Sequence, residues 1–288
     1  LPHKIAVGAG AFKGEAGWQG NRWQVNGDVT ASKLSFSGEQ VSGLQLKLAA
    51  SERSMVGRVD RARWSGASLT GAFNFSPRTG AMDAFLESKA VNLAPLARRT
   101  QMPLSGSGNL RVAISSPNGK SQLWVSSSGQ ARYRLDNGKL ISGKYETRLS
   151  GTPDRLNLDQ AILKGQEGML AATGNIHLRS KHLDLAVFGG QLRTKVFAPD
   201  TDGEAFLSGK VKGTFSNPQF TSVVDIHNLA IGDTKLPWLQ LQASGNPARI
   251  KFAQIQGQYG FSRFNGDVVY ETKSGRLTGT FNSPALQL

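Results

Sequence analysis

The chain has 288 residues and no cysteine, which excludes a disulfide framework and thiolate metal sites. Apolar residues are 39%, below the ~45–50% usual for a globular domain, and glycine is 34 of 288 against a usual ~7%. The net charge of +14 invites a nucleic-acid reading. The basic residues are dispersed, however, and no zinc finger, RNP-like motif or basic helix accompanies them, so nucleic acid is not an expected partner.

Leu1-Pro2-His3-Lys4 has no signal-peptide pattern and reads as a cut from a longer chain. Residues 1–22 are glycine-rich, with Trp18 as a large anchor, and read as an edge or the remnant of a preceding unit. From 23 to 91 the pattern alternates: Leu34 and Phe36, then Leu44, Leu46 and Leu48 with Gln45 and Lys47 between. That is the pattern of half-buried strands, apolar on one face and wet on the other. Residues 92–106 break it. Leu93, Leu96 and Ala97 have helical spacing, Asn92 is placed to cap, and Pro95 sits in a first turn, so one or two helical turns are expected.

Strands resume at Leu104. Leu110, Val112 and Ile114 alternate, as do Leu156 and Leu158, Ile176 and Leu178, and Leu183, Leu185 and Val187. Asp136-Asn137-Gly138-Lys139 carries a hairpin signal. Residues 192–206 form a second break. The last run contains Val224 and Ile226, Leu229 and Ile231, Leu239 and Leu241, Ile250 and Phe252, and Val268 and Tyr270. No run of ~18 apolar residues offers a membrane-spanning helix.

The chain repeats itself. Gly165-Gln166-Glu167-Gly168 recurs as Gly257-Gln258-Tyr259-Gly260 at a spacing of 92, and Ser150-Gly151-Thr152-Pro153 recurs as Ser244-Gly245-Asn246-Pro247 at 94. Ser107 to Pro117 matches Ser208 to Pro218 at 101. Leu34, Phe36, Val41, Leu44 and Leu46 parallel Leu229, Ile231, Leu236, Leu239 and Leu241. This divides the chain into an edge (1–22) and three β units: 23–103, 104–206 and 207–288. The period is too long for a β-helix coil or a propeller blade.

The sequence offers no reaction, and an enzyme is not expected. His3, His177, His182 and His227 have no partner at ligand spacing, and no Walker loop, His-Glu-x-x-His or Gly-x-Ser-x-Gly is present. Asp154, Asp159, Glu167 and Asp184 are the carboxylates a glycosidase pair would draw on, but no acidic cluster converges with aromatics. Trp64, Trp124 and Trp238 read as caps on the ends of an apolar face. No metal and no cofactor is expected.

Three features together resemble TamB and its AsmA-like relatives, bacterial envelope proteins built of repeated β-groove units. They are Asn-Leu-Ala-Pro-Leu leading into Pro-Leu-Ser-Gly-Ser-Gly (92–108), the Ser-Gly-x-apolar opening ending in Ser-x-Pro (208–218), and the Leu-x-Ile-Gly…Leu-x-x-Leu-x-Leu run (229–241) followed by Gly-Gln-x-Gly-x5-Gly (257–266). The match covers 23–288 and rests on the order of its motifs; the unit 23–103 lacks the Gly-Gln dipeptide and the Pro-terminated opening. The resemblance implies an all-β, elongated, incompletely closed antiparallel sheet, curled like a taco around an apolar lumen. It also implies a periplasmic bridge, anchored in the inner membrane outside this segment, that carries phospholipid between the membranes. A BamA-type outer-membrane barrel such as TamA is the implied protein partner, in outer-membrane protein assembly.

A sheet with one apolar face must fill its own core, pack on a second sheet, or curl around something apolar. Low hydrophobicity and 8% aromatics argue against a thick sandwich. The residues expected to line the lumen are Leu34, Phe36, Leu44, Leu46, Leu110, Val112, Leu156, Leu158, Ile176, Leu178, Leu229, Ile231, Leu239, Leu241, Ile250, Phe252, Val268 and Tyr270. The alternative function is a β-rich scaffold whose exposed edges add strands from a partner protein without carrying lipid. A third reading is an adhesin or carbohydrate-active solenoid.

Overall fold

The structure, a computed structural model, describes residues 5–20, 22–36, 39–64, 66–94, 104–118, 120–135 and 138–283. It is all-β. Among the described residues nineteen strands form an antiparallel sheet that is not closed, and from β2 onward successive strands pair in chain order. The chain divides into two compact units, residues 1–131 with 146–153, and residues 132–145 with 154–288.

Unit 1 begins with β1 (Ile5–Val7) and β2 (Gly10–Gln19), which lie one after the other along β3 (Arg22–Phe36). β4 (Glu39–Ser51), β5 (Met55–Trp64), β6 (Ala67–Phe75), β7 (Met82–Asn92) and β8 (Leu104–Ser116) follow as a meander. β9 (Gln122–Arg134) and β10 (Leu140–Gly151) each contribute residues to both units. Unit 2 continues with β11 (Arg155–Gly165), β12 (Gly168–His177), β13 (His182–Arg193), a 3-10 turn at Thr194–Val196, and β14 (Thr201–Thr214). β15 (Asn217–Ile231), β16 (Thr234–Asn246), β17 (Arg249–Tyr259), β18 (Ser262–Glu271) and β19 (Arg276–Asn282) complete it.

The repeat holds in strand geometry. β17–β18 (249–271) reproduce β11–β12 (155–177) residue for residue, 94 positions later. Even the break in pairing moves by 94, from Leu158/Ala161 to Phe252/Ile255. β15 and β16 reproduce β3 and β4 at a spacing of 195, with the same ends. The facing pairs agree as well: Leu34 opposite Val41 becomes Leu229 opposite Leu236, and Val29 opposite Leu46 becomes Val224 opposite Leu241.

One sequence match is corrected by the structure. Gly165 and Gly168 flank the two-residue turn Gln166-Glu167, whereas the turn of the second copy is Gly260-Phe261, between Tyr259 and Ser262. The Gly-Gln-x-Gly strings are therefore two residues out of structural step. The reason is that their glycines do different work. Gly257 lies inside β17, where an added Cβ would sit 2.4 Å from the Phe264 ring, while Gly260 takes φ +56 in the turn.

The hairpin expected at 136–139 joins β9 to β10. Gly138 has φ +81, and Leu135 N–H donates to the Lys139 carbonyl at 2.8 Å. The first two residues of that turn, 136–137, lie outside the described residues, as do 95–103, where the helical turns of 92–106 are expected. Asn92 Oδ1 does accept the Ala94 N–H at 2.9 Å, the local bond a capping asparagine makes.

The apolar face is open. Among the described residues no large side chain is fully buried, and alanines such as Ala31, Ala62 and Ala67 are among the most enclosed. Most of the apolar residues on this face are half-buried, between full enclosure and full exposure. Leu229 is one of the buried exceptions, and Leu229→Ala is expected to cost about 2–4 kcal/mol in a urea melt.

Candidate functional site

Strand pairing lines apolar side chains into rows across each unit. In unit 1 one row runs Phe12, Val29, Leu46, Val59, Gly71, Leu86 and Val112. The next row, on the opposite face, runs Lys13, Asp28, Lys47, Arg58, Ala72, Phe85 and Ala113. In unit 2 an apolar row runs Leu158, Gly174, Leu185, Val211, Phe220, Gly245, Ile250, Tyr270 and Leu277. Its neighbour on the other face includes Asn157, Asn175, Asp184, Lys212 and Gln219. Facing charges pair across strands on the polar face of each unit: Lys212 Nζ is 3.0 Å from Asp184 in unit 2, and Arg111 is 3.2 Å from Glu87 in unit 1.

Most of the expected lining residues lie on these apolar faces. Leu34, Leu44, Leu46, Leu110 and Val112 are half-buried in unit 1. In unit 2, Leu156, Leu158, Leu229 and Val268 are buried, and Ile176, Leu239, Leu241, Ile250, Phe252 and Tyr270 are half-buried. Leu178 lies just past β12, which ends at His177, and is exposed; its N–H donates to the Asp154 carbonyl at 2.9 Å. Ile231 keeps the right face but is exposed at the end of β15, opposite Thr234. The Phe36 side chain is outside the described residues.

The face survives because bulges reset its phase. In β15, Ile226 faces Ala205 and Ile231 faces Thr201, so even positions give way to odd ones on the same side. The extra residue is Asn228, at φ +53. Gln191 (φ +51) does this in β13 and Gln254 (φ +51) in β17. Gln254 is held there by its N–H to Asp267 Oδ1 at 3.3 Å and by Gln242 Nε2 donating to its Oε1 at 2.5 Å. Strict alternation therefore misses Leu163, Leu192 and Ile255, which lie beyond bulges. The visible signal is a pair of residues, such as His227-Asn228 or Ala253-Gln254, standing between two apolar positions.

Other sequence candidates are scattered. Asp154 and Glu167 lie just beyond opposite ends of β11, whose 11 residues span about 36 Å at ~3.3 Å per residue, far beyond a glycosidase pair. Asp184 faces Lys212. His177 and His182 lie opposite each other in register, a neighbourhood their sequence spacing conceals, and the Phe206 and His227 rings meet edge to face at 5.6 Å. Among the described residues no group of three or more metal-ligating side chains forms, and no helix is long and apolar enough to cross a membrane. Trp64 ends β5 on the apolar face opposite Ala67, but Trp124 is exposed on the other side of β9.

At one end of the unit 2 face the 3-10 turn folds inward. Val196 and Phe197 meet Ile141, Leu163, Leu170 and Leu192 around an apolar recess. Beside it opens a cavity of about 550 Å³, lined by Lys139, Leu140, Gln166, Glu167, Arg193, Lys195 and Val196. Unit 1 carries a cavity of about 720 Å³ whose lining is mostly polar, including Thr70, Glu87, Asn109, Arg111 and Arg148.

No family model, no characterised protein and no solved structure matches the chain.

Proposed function

We propose that this chain is a segment of a TamB/AsmA-like envelope bridge, and that its open apolar face shields phospholipid acyl chains between the inner and outer membranes. The observation that carries this reading is the row of apolar side chains and two glycines across the nine strands of unit 2, running from buried Leu158 through half-buried Leu185, Val211, Phe220, Ile250 and Tyr270 to exposed Leu277. A monomeric protein rarely leaves so much contiguous apolar surface to water without a partner for it.

The energetics favour an acyl chain as that partner. Moving lipid through water costs ~0.8 kcal/mol per CH₂, so a chain of ~16 carbons faces roughly 12 kcal/mol. An apolar track removes that barrier without a nucleophile, metal or cofactor. A strand of ~11 residues spans about 36 Å, long enough to lie along such a chain. Work in the periplasm, and beside a BamA-type barrel such as TamA, belongs to the same proposal.

Native mass spectrometry of the purified chain, followed by lipid extraction, tests it. The expected result is co-purified phospholipid. A lipid-free chain that gains none from added vesicles would contradict it.

A second reading rests on the strands β2 and β19, exposed along their whole length. A partner strand could pair with such an edge through main-chain bonds, which would make the chain a β-augmentation scaffold for protein. Crosslinking of a β-strand peptide to Thr278 or Thr280, with no lipid bound, is the result that would favour it.

A further inference from the structure

We infer that the cavity beside the 3-10 turn of unit 2 is a phosphate site, with Lys139, Arg193 and Lys195 as its cationic walls and a lipid headgroup as its ligand. This rests on the acyl-groove reading for the source of the phosphate, while the site itself rests on geometry. Lys139 comes from the β9–β10 turn, Arg193 from the end of β13, and Lys195 from the 3-10 turn, so three separate elements bring positive charge to one opening of about 550 Å³. Lys139 Nζ donates to the Lys195 carbonyl, and Arg193 N–H donates to the Glu167 carbonyl at 3.0 Å, which ties the elements together.

Two cations on the sheet are matched by carboxylates on facing strands, Arg111 by Glu87 and Lys212 by Asp184. Among the described residues Arg193 and Lys195 have no ion pair. The one acid in the lining is Glu167, whose Oε2 is buried without a hydrogen-bond partner. The cavity thus holds three cations to one carboxylate, and guanidinium and ammonium groups are the donors that phosphate takes.

Position supplies the class of ligand. Glu167 and Val196 line this cavity and also the apolar recess formed with Leu163, Leu170 and Leu192. A cationic opening that shares its walls with an apolar recess fits an amphiphile: phosphate outside, hydrocarbon inside. Free inorganic phosphate would use only the outer half.

The test uses the full chain and two probes: inorganic phosphate, and dihexanoyl phosphatidylglycerol below its micelle concentration. Binding is followed by ³¹P NMR. The variant carries Arg193→Gln and Lys195→Gln together, both at exposed side chains, and its melting temperature is checked against the parent. The expected result is that the parent binds the lipid more tightly than phosphate, and that the variant weakens lipid binding at least tenfold with its melt unchanged. Glu167→Gln, which removes the opposing charge, is expected to tighten binding severalfold. Equal affinity for both probes, lost in the variant, would support the phosphate site and assign it to the free ion. Unchanged binding in both variants would overturn the site. Acyl contact is read separately from a photo-crosslinker at Leu241. Crosslinking that persists while the variants do nothing would sink the site and leave the groove standing. Phosphate binding lost in the variant, without any crosslink, would do the reverse.

Discussion

Leu86→Asp is expected to lower the phospholipid that co-purifies with the chain about a hundredfold, while Phe85→Asp leaves it unchanged. The two side chains are neighbours in β7 and almost equally exposed, at 42% and 40%. They differ in face. Leu86 stands in the apolar row between Gly71 and Val112, and Phe85 stands in the opposite row between Ala72 and Ala113, under the Arg111 guanidinium at 6.0 Å. Both positions are wet without ligand, so either aspartate should cost the fold only about 1 kcal/mol. With an acyl chain over Leu86, the same carboxylate must be desolvated against hydrocarbon, which costs several kcal/mol. At about 1.4 kcal/mol per decade, that is two orders of magnitude in occupancy. Lipid extraction and quantitative mass spectrometry of the two variants decide it. Equal lipid in both would mean that the apolar row does not hold the chain.

The second large effect is on stability. Gly245 lies at the end of β16, opposite Ile250, with φ +146. An added Cβ there would sit 2.1 Å from the Arg249 carbonyl oxygen, a backbone atom that cannot swing aside. Gly245→Val therefore combines a backbone conformation that L-residues avoid with a direct clash, and is expected to cost at least ~3 kcal/mol. For a unit of this size that lowers the melting temperature by about 6–12 °C. Gly151 is its counterpart 94 residues earlier and has φ +134. Gly151→Val should give a drop of similar size in differential scanning calorimetry. A valine tolerated at either position would mean that the Ser-Gly pairs recur by composition and not by backbone geometry.

How far the fold was legible follows from what sets it. Alternation in Leu44-Gln45-Leu46-Lys47-Leu48 is enough to fix a strand and its wet face, because side chains on a strand point alternately to either side. The parallel between Leu34–Leu46 and Leu229–Leu241 was visible as a string and proved a true register equivalence, because two residues separate the last facing pair in both copies, Phe36 with Glu39 and Ile231 with Thr234. The Gly-Gln-x-Gly strings misled by two residues, since a glycine in a turn and a glycine under a phenylalanine look the same in sequence. The end of β12 at His177, just before Leu178, was not legible either, because alternation says nothing about where a strand stops. The bulges at Gln191, Asn228 and Gln254 were hidden for a related reason: none is a glycine, yet each takes a positive φ that pairing with the next strand enforces. The cationic cavity was beyond reach, since it depends on three chain segments meeting, at 139, 166–167 and 193–196.

The central claim is that one face of this sheet holds hydrocarbon, and the most direct measurement is a photo-crosslinking scan along β15 in the presence of phospholipid vesicles. The bulge at Asn228 makes the expected pattern specific. Lipid should crosslink from positions 222, 224, 226, 229 and 231, with the step from even to odd at the bulge, and not from 223, 225 or 230. Val223 is the informative silent position: it is apolar and exposed, but it faces the polar side. Crosslinks that follow exposure, with Val223 labelled as strongly as Val224, would contradict the account.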